Sequence, residues 1–115
     1  MLRLRSTADF ERVRRDGRSY AHPLIVLIVC RAAGETQPAS RFGFTAGRSV
    51  GSAVRRNRAK RLMRAAARAL AAGLAPGWDL VLIARAPIAG CKMPQVRDAL
   101  AQLLRKAHVF NPPAA

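Results

Sequence analysis

The sequence predicts an α+β fold in which helices pack in layers against a β-sheet. Three observations carry that expectation. A β-branched apolar run, Pro23-Leu-Ile-Val-Leu-Ile-Val-Cys-Arg31, has the length of a buried strand, and a second run, Asp79-Leu-Val-Leu-Ile-Ala84, repeats the pattern far downstream. Between them, from about Ala53 to Ala72, lies an unbroken stretch of good helix formers that ends at Gly73 and Pro76. At the C-terminal end Val96, Leu100, Leu103, Leu104 and Ala107 recur at steps of three and four residues.

Taken in order, the elements follow from local signals. Ser6 is a helix N-cap with Asp9 three residues on, Phe10 and Val13 fall on one face, and Gly17 stops the segment, so the first helix spans about 7–16. The strand of residues 24–31 runs into the turn-rich loop Ala33-Gly-Glu-Thr-Gln-Pro-Ala-Ser40. Arg41-Phe-Gly-Phe-Thr-Ala46 alternates, with Phe42, Phe44 and Ala46 on one face, and Gly47 and Gly51 break the pattern. Pro94 opens the last helix. A short strand near Arg18–Ala21 fits ahead of Pro23. The expected organisation is a single domain over residues 1–115, with residues 108–115 as a flexible tail and neither linker nor repeat.

Composition narrows the function. The chain has 115 residues with 21 Lys+Arg against 6 Asp+Glu, a net charge of +15, and half its residues are hydrophobic. That combination describes a folded polyanion binder rather than a disordered basic tail or a small-molecule enzyme. The basic residues are 18 Arg and 3 Lys, and guanidinium groups suit phosphate through paired hydrogen bonds. Cys30 and Cys91 lack metal-ligand spacing, the apolar run Leu24–Cys30 is far short of a membrane span, and the start MLRLRSTADF has no signal-peptide core. The expectation is a reduced, cytoplasmic protein with no membrane contact.

The position of the charges is the sharpest signal. Between Glu35 and Asp79 there is no acid, yet Arg41, Arg48, Arg55, Arg56, Arg58, Lys60, Arg61, Arg64 and Arg68 all fall there. On a helical wheel Ala59, Leu62, Met63, Ala66 and Leu70 form the apolar stripe, while Asn57, Arg61, Arg64 and Arg68 line the opposite face. Solvated helices normally mix signs, whereas Lys60/Arg64, Arg64/Arg68 and Arg58/Arg61 repel at a cost on the order of a few tenths of a kcal/mol each. A bound polyanion relieves all of these repulsions together. The acids Asp9, Glu11, Asp16, Glu35, Asp79 and Asp98 form no metal-binding cluster in sequence, no nucleophilic triad is apparent, and no catalytic residue is expected in this chain.

The block Phe42-Gly-Phe-Thr-Ala-Gly-Arg-Ser-Val-Gly-Ser-Ala-Val-Arg-Arg-Asn-Arg-Ala-Lys-Arg, centred on Arg56-Asn57-Arg58, resembles the signature of the protein subunit of bacterial ribonuclease P. Asp9-Phe10 with Val13 and Gly17, and Asp79–Arg85, extend the likeness nearly end to end. The resemblance implies a two-layer α/β sandwich of order α-β-β-β-α-β-α with a left-handed β-α-β crossover, against the usual right-handed rule, as in a ribosomal-protein domain. It also implies binding to a catalytic RNA and to precursor tRNA, whose 5′ leader that RNA removes with Mg2+. No cofactor or metal would be bound by this chain itself.

Carried onto this sequence, the catalytic-RNA contacts would be Arg48, Arg55, Arg56, Asn57, Arg58, Lys60, Arg61, Arg64 and Arg68. The leader cleft would involve Phe10, Arg14, Phe42 and Phe44, by sequence-tolerant stacking and backbone charge. Phe42 and Phe44 fit a core role equally well. Arg14 and Ile28 stand where the family pattern often has aromatic rings, and Ser49 stands where it has a second basic residue. The rival expectations are a structural RNA-binding protein such as a ribosomal protein, a DNA-compacting protein, and a self-sufficient nuclease.

Overall fold

A computed structural model describes residues 1–34 and 38–111 of the chain. In order the elements are β1 (Leu2–Arg3), α1 (Thr7–Asp16), β2 (Arg18–Ala21), β3 (Ile25–Arg31), β4 (Arg41–Thr45), α2 (Ala53–Leu70), β5 (Trp78–Ala84) and α3 (Met93–Lys106). Short 3-10 turns occupy Arg48–Val50, Ala71–Gly73 and Ala86–Gly90. The α+β class, the three helices and the strands read from the sequence are all present. β1 is an addition: Leu2-Arg3-Leu4-Arg5 alternates, but over so few residues that pairing with β4 is what makes it a strand.

The five strands form one sheet in the order β1-β4-β5-β3-β2. β3 runs antiparallel to β2 and β5, whereas β4 runs parallel to β5 and to β1. β3 from Ile25 to Cys30 and β5 from Leu80 to Ala84 are continuously apolar because both of their faces are covered. Ile25, Leu27 and Val29 with Leu80, Leu82 and Ala84 face α2 and α3, while Ile28 and Val81 face α1. The expected two-layer packing thus describes one side of the sheet, and α1 adds a short layer on the other.

α1 starts where the Ser6 hydroxyl accepts the Asp9 backbone N–H at 3.0 Å. It ends at Gly17, whose N–H donates to the Val13 carbonyl at 2.8 Å. A Cβ at Gly17 would lie 2.4 Å from that carbonyl and 2.7 Å from Ile28 Cγ2, so only glycine lets the chain turn this tightly from α1 into β2. Ser52 caps α2 through the Arg55 N–H. α2 packs on α3 through small residues, Ala59, Ala66 and Ala67, with Met63 filling the remaining space.

The expected flexible tail needs correction at its start. Val109 is buried, Phe110 forms a bridge with Leu74, and the Asn111 N–H donates to the Gly73 carbonyl at 2.7 Å. Apolar burial beside the end of α2 fastens these residues, against the polar and proline-rich appearance of Asn111-Pro-Pro. Residues 112–115, and residues 35–37 of the loop after β3, lie outside the described part of the chain.

Candidate nucleic-acid interface

α2 divides as its periodicity requires. Ala59, Met63, Ala66 and Ala67 are buried and Leu62 and Leu70 partly so. Arg55, Asn57, Arg58, Arg61 and Arg68 are exposed, and Arg56, Lys60 and Arg64 are half-buried at the margins. Arg48 is exposed in the 3-10 turn just ahead of the helix. Arg58 donates to the Cys91 carbonyl at 3.4 Å, and the Arg56 Nε is buried with no hydrogen-bond partner among the described residues. The helix has no acid in its first turn, so its N-terminal dipole adds to the positive field.

Ion pairing separates these bases from the rest. Among the described residues Asp9, Asp16, Asp79 and Asp98 pair with Arg12, Arg15, Arg41 and Arg97, and no base of α2 has an acidic partner. Arg41, which falls in the acid-free stretch of sequence, is therefore not one of the uncompensated bases. Asp79 is fully buried on the α1 side of β5. Its Oδ1 accepts Arg41 Nε at 3.0 Å, its Oδ2 accepts Arg41 Nη2 at 2.9 Å, and its Oδ2 also accepts Arg12 Nη2. Arg12 reaches on to the Arg31 carbonyl at 3.0 Å. One buried carboxylate thus ties α1, β3, β4 and β5 together. Asp9 flanks the cluster, and the Ser6 hydroxyl holds its carboxyl below the ordinary value, against desolvation and with help from Arg41 and Arg12.

α1 and the edge of the sheet enclose a second feature. A cleft of about 410 Å³ is lined by Arg5, Thr7, Phe10, Glu11, Arg14, Phe44 and Thr45. The Phe10 ring lies against β4 at Gly43, where a Cβ would come within 2.5 Å of the ring. Of the four residues expected to form a leader cleft, Phe10 and Arg14 meet here. Phe42 does not: it is 1% exposed and faces α2, so its expected cleft role is withdrawn in favour of the core. Phe44 stacks on Phe42 at 6.0 Å and packs toward the same side, only bordering the cleft. Strand alternation explains the split, since Phe42 and Phe44 share one face of β4 while Arg41, Gly43 and Thr45 share the other, on which Gly43 leaves room for the Phe10 ring.

Two arginines at the start of the chain join these sites although the sequence reading passed over them. Arg5 lines the Phe10 cleft, and Arg3 lines a groove of about 350 Å³ with Met1, Arg61, Arg64, Ala65 and Arg68. The available signal was the pair of arginines flanking Leu4, whose burial anchors the segment. Among the described residues no group of three or more His, Cys, Asp or Glu side chains converges to hold a metal ion. Among the described residues Asp9, Asp16, Asp79 and Asp98 are each engaged by a guanidinium.

Comparison with known proteins places these features in a family. The model of the family described as Ribonuclease P matches residues 1–108. A ribonuclease P protein component from Herpetosiphon aurantiacus is 40% identical over 109 residues, covering 95% of this chain and 86% of the relative. One from Roseiflexus castenholzii is 42% identical over 110 residues, covering 95% and 88%. A solved structure of the Staphylococcus aureus RNase P protein superposes with a TM-score of 0.82 at 30% identity, covering 96% of this chain and 99% of that one. The Thermotoga maritima RNase P protein gives 0.78 at 28% identity, covering 92% and 97%.

Proposed function

This chain belongs to the ribonuclease P protein family and is a subunit of the ribonuclease that matures tRNA 5′ ends, and from that premise we propose how its surface works. α2, with Arg48, Arg55, Arg56, Asn57, Arg58, Lys60, Arg61, Arg64 and Arg68, binds the catalytic RNA. The cleft at Phe10 and Arg14, with Arg5 beside it, receives the 5′ leader of precursor tRNA. The whole chain acts as one domain in the cytoplasm, and the hydrolytic chemistry and its Mg2+ belong to the RNA. The observation that carries this reading is the set of α2 bases without acidic partners, presented opposite a packed apolar face.

The physical contribution is charge neutralisation between two polyanions. Each RNA phosphate met by an arginine releases condensed counterions, so catalytic RNA and precursor approach each other at lower magnesium. Neutralising about six phosphates gives a log–log salt slope of roughly −4 to −5. At the Phe10 cleft the tip of the ring lies against Gly43, and Arg14 and Arg5 line the same cleft and supply backbone charge. The cleft is accordingly more electrostatic than aromatic.

The test is 5′-leader release from a precursor tRNA by transcribed ribonuclease P RNA at low magnesium, with and without the protein, and with a protein-only control. Stimulation that requires the RNA, and that is lost in a folded Arg58/Arg61/Arg64→Ala variant, is the expected result. Tight RNA binding without stimulation would instead make this a structural RNA-binding protein, and cleavage by the protein alone would contradict the assignment of the chemistry to RNA.

A further inference from the structure

We propose that the N-terminal strand completes a phosphate seat with α2: Arg3 on β1 and Arg61, Arg64 and Arg68 on α2 together hold adjacent backbone phosphates of the catalytic RNA. This rests on the α2 reading above and adds to it a location and a residue from outside the basic helix.

The geometry begins with the groove. It is about 350 Å³ and lies between β1 and α2, with four guanidiniums and only Met1 and Ala65 besides them in its lining. No acidic side chain lines it. Arg61, Arg64 and Arg68 follow at steps of three and four, so they share one helical face over an axial length of about 10 Å. That is longer than a single phosphate group and suits successive phosphates of one strand. The three would repel one another across this short span in the free protein, and only an anion between them turns the arrangement favourable.

Arg3 approaches from the other wall and is held rather than free. Its guanidinium carbon lies 6.0 Å from the centroid of the Phe44 ring, within cation–π reach, and Phe44 is itself stacked on the buried Phe42. β1 hydrogen-bonds in parallel register with β4, Leu2 opposite Arg41 and Arg3 opposite Phe42. The next residue, Leu4, is buried and its N–H donates to the Phe42 carbonyl at 2.8 Å. The backbone of β1 and the aromatic pair of β4 therefore fix the direction of Arg3 before any ligand arrives, and so reduce the ordering entropy of binding. A planar fork fixed in this way suits two oxygens of one phosphate.

The experiment is equilibrium binding of the full-length protein to transcribed ribonuclease P RNA across a potassium chloride series. The variants are Arg3→Gln, Arg64→Gln, the double variant, and Arg18→Gln, which removes the same charge from β2 at the opposite edge of the sheet. Arg3→Gln is expected to reduce the magnitude of the log–log salt slope by about 0.7 to 0.9, the value for one lost phosphate contact, while Arg18→Gln leaves the slope unchanged. Arg3→Lys, which keeps the charge, retains the wild-type slope. The double variant loses less affinity than the two single losses combined, because both residues serve one seat.

A slope for Arg3→Gln equal to that of Arg18→Gln overturns the proposal, and so does strict additivity with Arg64→Gln. If Arg58/Arg61/Arg64→Ala loses RNA binding in the same series, that failure concerns β1 alone and the α2 interface stands. Wild-type binding by the triple variant would overturn both. Arg3 is exposed and contributes nothing to the core, so the substitution leaves the fold in place, and circular dichroism of each variant verifies this.

Discussion

Replacing Asp79 by Asn removes one charge from the centre of the α1–sheet junction, and the loss can be worked out from the hydrogen bonds. Arg41 uses both carboxylate oxygens, at 3.0 and 2.9 Å, and Arg12 shares Oδ2. An amide nitrogen in either position points its own N–H at a guanidinium N–H, so at least one bond becomes a donor–donor contact. Breaking a buried ion pair by removing one partner costs about 3–5 kcal/mol. The side chains of Arg12 and Arg41 remain 20% and 33% exposed and can turn partly to water, which places the expectation near the lower end, about 3 kcal/mol. With a urea m-value of ~1.5 kcal/mol/M the unfolding midpoint falls by about 2 M. Urea denaturation followed by circular dichroism, in a sulfate buffer that screens α2, measures it. Asp16→Asn is the control, since its pair with Arg15 is exposed on both sides, is screened by water and salt, and joins no two elements. If the two variants unfold at the same urea concentration, Asp79 does not hold α1 to the sheet and the reasoning fails.

Further outcomes follow from other contacts. Gly43→Ala places a methyl group 2.5 Å from the Phe10 ring and must displace it; overpacking of this kind costs about 1–3 kcal/mol. Affinity for precursor tRNA should fall toward that for mature tRNA while RNA-subunit affinity holds, and equal losses of both would separate Phe10 from the leader. Sulfate should raise the melting temperature by relieving Lys60/Arg64, Arg64/Arg68 and Arg58/Arg61, which together amount to about 1 kcal/mol, and it should act less on Arg61/Arg64→Gln; an equal effect on that variant would place the anion elsewhere. The Asp9 carboxyl sits below its ordinary value because Ser6 bonds it and Arg41 and Arg12 lie close. A folded value below the unfolded one stabilises fully above about pH 4, and that contribution disappears as pH falls through the folded value. Asp9→Asn should flatten the acid limb of a melting-temperature profile between pH 5 and 2, and an unchanged limb would assign it to other carboxylates.

How much was legible depended on whether the deciding contact was local. α1 matched its expected span because Ser6, Asp9 and Gly17 are close neighbours whose hydrogen bonds form within one turn. α2 matched to within one turn because helix formers, the Ser52 cap and the small residues before Gly73 all act along one short stretch. β1 was missed although Leu2-Arg3-Leu4-Arg5 alternates, because so short a period becomes a strand only through its pairing with β4, which is a tertiary fact. Phe42 and Phe44 were correctly paired on one strand face, but alternation cannot say which face looks toward α2 and which toward α1. Gly43 decides it: the residue without a side chain marks where Phe10 lies on the strand.

The same limit governs the charges, and there it changes the function. Sequence counts Arg41 with the acid-free stretch, yet its partner Asp79 lies 38 residues on, and Arg12 meets that same carboxylate across 67 residues. Compensation is spatial, so an acid-free window overstates the free charge at Arg41 and understates it at Arg3, whose groove brings it to α2. Once the paired arginines are set aside, the remaining positive field covers α2 from Arg55 to Arg68 and continues across the groove to the edge strand. The buried Arg12–Asp79–Arg41 cluster meanwhile orients α1 without offering charge to a ligand. Arginines of one sequence therefore divide into those that build the scaffold and those left without an acidic partner, and the position of the acids, not the number of the bases, makes that division.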